Sequence, residues 1–63
     1  MNISDSDIRY VEKLIDIIED REIHSFKELA RRAYKISNEE EGGNYEYLKV
    51  LLNYTDFFRA YLI

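Results

Sequence analysis

The chain has no cysteine, no proline, no tryptophan and no glutamine, and only two glycines in 63 residues. Without cysteine there are no disulfides, thiolate clusters or thiol nucleophiles, and a single histidine, His24, leaves no set of zinc ligands. Without proline, and with its two glycines adjacent at Gly42 and Gly43, the chain advertises one break. No run approaches the roughly 18 apolar residues of a membrane helix, and the opening residues are acidic where a secretory signal carries positive charge. Cytoplasmic localisation is therefore expected, with no membrane partner.

Hydrophobic residues make up 46% and charged residues 35%, a balance that belongs to folded globular chains. The length allows a single domain, residues 1–63, and a domain of this size buries only about 60% of the surface its unfolded chain exposes. Disulfides and metals being excluded, oligomerisation is the remaining source of added stability. The net charge of −4, thirteen acidic residues against nine basic, disfavours a general nucleic-acid binder. Abundant Ile, Tyr and charged residues beside absent Gln and Cys follow a bias of heat-adapted proteins.

The first helix is well marked at its start. Ser4 as N-cap puts Asp7 at N3, a short-armed capping box, and lets Ile3 meet Ile8 as a hydrophobic staple. Ile8, Val11, Ile15 and Ile18 then follow a three-four-three spacing, the seam of an amphipathic helix. The stripe continues through Phe26, Leu29, Ala33 and Ile36 if one stutter is accepted at Glu22. The simplest reading is one helix over residues 5–36, about 50 Å long. Ser25-Phe26-Lys27-Glu28 is itself a capping box, so a break near Ser25 is the competing reading.

Residues 37–44 read as the turn, with Asn44 as the N-cap of a second helix over residues 45–62. Leu48, Leu51, Phe58 and Leu62 keep the three-four rhythm, while Tyr47, Val50, Leu52, Tyr54, Phe57 and Tyr61 widen the apolar face. At about 28 Å this helix covers only part of the first. An all-α fold follows: an antiparallel helical hairpin whose overhanging isoleucines and surplus aromatics are covered when two copies form a four-helix bundle. A break at Ser25 would instead allow a monomeric three-helix bundle. The seam residues are Ile8, Val11, Ile15, Ile18, Leu48, Leu51, Phe58 and Leu62.

No catalytic motif is present, and nothing beside His24 supplies a nucleophile or an orienting partner. A non-enzymatic chain without cofactor or metal is expected. Glu39-Glu40-Glu41 reads as a solvated loop, because adjacent carboxylates point in different directions and cannot converge on a cation. Lys27, Arg31 and Lys35 share one helical stripe with Arg32 beside it, the one basic patch of the chain. It suits an acidic protein partner or phosphate, although Glu28 can pair with Arg31 or Arg32 and leave the patch purely structural. As a helix-turn-helix DNA reader the chain fails, since the connection is long and acidic and Tyr45-Glu46-Tyr47-Leu48 carries no base-reading side chains.

The whole chain resembles a small helical-hairpin protein of the archaeal spindle-shaped viruses, the fuselloviruses, in its length, its Ile/Tyr/Glu bias, the capped start at Ser4, the turn at Gly42-Gly43 and the ending Tyr61-Leu62-Ile63. The resemblance implies a Rop-like dimeric four-helix bundle with an adaptor-like role in macromolecular assembly, located in the host cytoplasm. It implies no catalytic residues. A homodimeric protein-interaction module is thus the leading expectation, and a regulator binding DNA or RNA through Lys27, Arg31, Arg32 and Lys35 is the alternative.

Overall fold

Ser4 caps the first helix as its spacing requires: its backbone is extended, and Oγ accepts a hydrogen bond from the Asp7 N–H at 3.1 Å. The computed structural model describes residues 3–63 and is all-helical over them, with α1 at Asp5–Arg21, α2 at Phe26–Glu39, α3 at Glu46–Asn53 and α4 at Thr55–Tyr61. The helices fold back on one another as helical hairpins. Asp7 completes only half of the predicted capping box, because its carboxylate accepts from the Tyr54 hydroxyl at 2.7 Å.

The single helix over residues 5–36 does not form; the chain breaks between Arg21 and Phe26. Glu22 takes the left-handed conformation at φ 51°, ψ 49°, and the Ile23 N–H donates to the Ile18 carbonyl at 3.0 Å. This six-residue closure is a Schellman motif, with Ile23 and Ile18 as its hydrophobic pair, each only 7% exposed. In an unbroken helix Ile23 would lie about 140° round the axis from Ile18, on the solvent side. A left-handed non-glycine residue costs roughly 1–2 kcal/mol, and burying an isoleucine contributes roughly 1.5–3 kcal/mol, so the break wins. Ser25 then caps α2, its Oγ accepting from the Glu28 N–H at 3.2 Å. Replacing Glu22 by glycine relieves the left-handed strain, and Glu22→Gly is expected to stabilise the fold by about 0.5–1 kcal/mol, read as a rise of a few degrees in thermal midpoint.

The turn begins later than the expected residue 37. Ser37 lies inside α2 with its side chain wholly buried, and the reversal runs from Glu40 to Tyr45. Gly42 and Gly43 both have positive φ, 61° and 86°, and the Asn44 N–H donates to the Glu41 carbonyl at 3.2 Å, which is a type I′ turn. Asn44 is not the cap of α3. The boundary residue is Tyr45 in the left-handed region, and its side chain caps nothing. Glu41 takes over that task. Its Oε1 accepts from the Tyr47 N–H at 3.2 Å while Oε2 accepts from the Tyr10 hydroxyl at 3.3 Å, so one half-buried carboxylate holds the start of α3 to α1.

The second helix is also divided, at Tyr54 (φ −120°, ψ 37°). The Thr55 hydroxyl donates to the Leu52 carbonyl at 2.8 Å, competing with the backbone ladder in the manner that bends helices. The ladder survives on either side, from the Tyr54 N–H to Val50 and from the Phe58 N–H to Tyr54, so the interruption is a kink.

α3 lies at the centre, packed against α1, α2 and α4. Leu14, Ile18, Ile23, Leu29, Ala33, Tyr47, Val50, Leu51 and Phe58 form one core. The largest dimension is 31 Å and the radius of gyration 10.9 Å, against about 10.6 Å for a compact chain of this length. A 50 Å first helix, and the overhang it would create, are therefore absent. Of the two architectures the sequence allowed, the break near Ser25 is the one found, with the further kink at Tyr54 giving four helices in place of three.

Tyrosines tie the helices together through their hydroxyls, and this makes the fold sensitive to base. The carboxylate of Asp7 holds the Tyr54 phenol above its usual 10.0, and burial followed by the charge of Glu41 does the same for Tyr10. A pKa raised in the folded state means that the stabilisation is complete below pH 10 and is lost as pH rises through the folded values. The thermal midpoint is expected to fall between about pH 9 and about pH 11, and less steeply in Tyr54→Phe than in the wild type. Equal slopes would show that the Asp7 bond does not contribute.

Candidate functional site

Among the described residues two surface features stand out: a basic groove at the elbow between α1 and α2, and an apolar strip on α3 and α4. The groove arises because the Schellman turn brings the last turn of α1 alongside α2. Arg21 thereby joins Arg31, Arg32 and Lys35 around a depression of about 290 Å³ whose other lining residues are Ile23 and Glu28. Lys27, predicted as part of the same patch, does not line it. Arg21 could not be assigned to the patch from sequence, since it lies ten residues from Arg31 and becomes its neighbour only through the break.

Helical spacing allows Glu28 to pair with Arg31 or Arg32, but among the described residues the one ion pair within 4.0 Å is Lys49 with Glu46. Among the described residues the four cations of the groove have no carboxylate partner at that range. Arg32 Nε is shielded from solvent and has no hydrogen-bond partner among the described residues, an uncommon state for a buried donor. Arg21 and Arg32 also form a ridge, because both line a second groove of about 280 Å³ that includes Asp16, Asp20 and Glu40. Lys13 lines this second groove as well, so its three carboxylates stand among three cations.

The chain matches no known protein-family model, and no curated protein or solved structure shows significant similarity to it.

The seam residues divide. Ile18, Leu51 and Phe58 are buried in the core, Val11, Ile15, Leu48 and Leu62 pack half-buried at its edge, and Ile8 is half-buried outside that cluster. Leu14, fully buried, is the centre of the α1 stripe, a position that the three-four-three spacing through Ile15 leaves out.

The apolar strip spans the kink. Leu52 and Phe57 are 59% and 46% exposed and line a common surface groove with Tyr54, Thr55 and Asp56. The Phe57 ring stacks on Tyr61 at 6.2 Å and meets Phe58 edge-on at 5.1 Å. Core aromatics thus continue outward into an exposed aromatic row. On the opposite edge Arg59 lies over the Phe26 ring at 5.2 Å.

His24 is exposed in the α1–α2 connection. Of the run read as a solvated loop, Glu39 is the last residue of α2 and Glu40 lies in the turn, both exposed, whereas Glu41 is the structural clamp described above. Among the described residues no three His, Cys, Asp or Glu side chains are placed to hold a metal ion, and no helix is long and apolar enough to cross a membrane.

Proposed function

We propose that the chain is a non-catalytic protein-interaction module that works as a homodimeric adaptor in macromolecular assembly. The observation that carries this reading is the exposed row Leu52, Phe57 and Tyr61. Side chains of this size rarely stand together on a small monomer without a partner surface, and tyrosine and phenylalanine are the residues that interfaces favour. The proposed mate is a second copy, since a two-fold axis presents an apolar strip to itself and isologous dimers are the commonest assemblies. Pairing through α3 and α4 would leave the basic groove of each copy free, which is the geometry an adaptor needs. The likeness to the helical-hairpin proteins of spindle-shaped archaeal viruses favours the same role, with the dimer formed by the kinked C-terminal helices and not by a long α1 seam.

The test is light scattering over a range of concentrations. The wild-type mass is expected to be twice the monomer's, and Phe57→Asp is expected to give a folded monomer, because the charge enters an exposed site in the monomer and a buried one in the dimer. A wild-type chain that stays monomeric at high micromolar concentration overturns the dimer. A second reading, a nucleic-acid-binding regulator, draws on the four unpaired cations of the groove. It requires affinity for DNA or RNA that falls steeply with salt and is abolished by Arg31→Glu.

A further inference from the structure

We infer that the groove between the end of α1 and α2 receives an acidic polypeptide segment that carries an apolar side chain. The inference names the partner class of the interaction module proposed above and rests on that reading, though not on its dimer. Arg21, Arg31, Arg32 and Lys35 converge on one small depression in a chain whose net charge is −4; Glu28 is the one carboxylate that lines it, and none of the four cations has a carboxylate within 4.0 Å among the described residues. Cations gathered in this way repel one another, and an anionic partner removes the repulsion while adding attraction at every contact. Guanidinium groups suit carboxylates in particular, since their planar forks pair two donors with two oxygens.

The shape and surroundings of the groove favour a peptide over a phosphodiester strand. Ile23, 7% exposed, lines it beside arginine and lysine side chains whose long aliphatic stems can cover an apolar group, so an apolar side chain has contacts to make there. A sugar-phosphate backbone makes no use of those apolar contacts. Beyond Arg21 and Arg32 stand Asp16, Asp20 and Glu40 with Lys13 beside them, so a nucleic acid running past the groove would meet more like charges than opposite ones there. A short acidic segment can end before reaching them.

The probe is a fluorescein-labelled peptide of alternating Asp and Glu with one central Leu, followed by anisotropy, beside single-stranded and duplex DNA of matched charge. Arg31→Glu and Lys35→Glu are combined, because both side chains are exposed and their reversal leaves the core untouched; Lys27→Glu on the same helix but outside the groove is the control. Peptide affinity is expected to fall at least about tenfold in the double variant, to change less than about twofold in the control, and to weaken with salt. Circular dichroism on each variant confirms that the helices persist. No saturable binding of the peptide to the wild type, equal losses in variant and control, or tighter binding of either DNA would overturn the inference. Light scattering on the same samples keeps the two proposals apart: a dimer that ignores the peptide refutes this inference alone, and a monomer that binds it refutes only the dimer.

Discussion

Phe58→Ala is expected to bring the chain to the edge of unfolding at room temperature. Phe58 is wholly buried and comes from α4, a helix of only seven residues that could not persist in isolation. Truncating a buried phenylalanine to alanine costs about 3–5 kcal/mol. A small domain has a total stability near the lower end of about 5–15 kcal/mol, so one such loss consumes most of it. The measurement is urea denaturation followed by circular dichroism, in which the variant should have little or no folded baseline. Phe57→Ala is the paired control. Its ring lies next to that of Phe58 but is largely exposed, and its truncation is expected to cost no more than about 1 kcal/mol in the monomer. If both variants fold with similar stability, α4 is not anchored where the structure places it.

Local chemistry was legible where the signal was local. Ser4 and the pair Gly42 and Gly43 act as their types require, and the Ser25 capping box that competed with a continuous helix is in fact formed. What could not be read were choices settled by tertiary gain. Glu22 has no sequence mark of a left-handed residue; it adopts that conformation because Ile23 is thereby buried beside Ile18. Tyr54 kinks the second helix because Thr55 and Asp7, one adjacent and one 47 residues away, both claim bonds there. Glu41 looked like part of a solvated acidic run and turned out to be the clamp of α3, a role visible only once Tyr10 is known to stand opposite.

The candidate site shows the same division. Arg31, Arg32 and Lys35 were recognisable from helical spacing alone, because both the patch and its spacing lie within α2. Arg21 enters through the turn, and the same turn carries the groove away from Lys27. The apolar surplus of the second helix was also legible. Its explanation was not: the long first helix invoked to demand a second copy is replaced by two shorter helices that cover much of that surface within one chain, and the need for a partner contracts to the row Leu52, Phe57 and Tyr61.

The rotational setting of α1 supplies the sharpest remaining test. Seven apolar residues between Ile8 and Ile18 allow two interleaved stripes, and spacing alone cannot choose between them. The stripe Ile8, Val11, Ile15 and Ile18 faces a direction about 50° away from the one through Asp7, Val11, Leu14 and Ile18. In the structure Leu14 is wholly buried, Ile15 half-buried, and Asp7 on the same side as Leu14 bonds Tyr54. Leu14→Ala should therefore cost about 2–5 kcal/mol and Ile15→Ala distinctly less, about 1–2 kcal/mol, in the same denaturation experiment. Ile15→Asp, lethal to a bundle centred on the first stripe, should be tolerated far better than Leu14→Asp, since a carboxylate at the edge of the core can reach water. The reverse order would turn α1 by those 50° and return Ile15 to the seam of a bundle built from two chains.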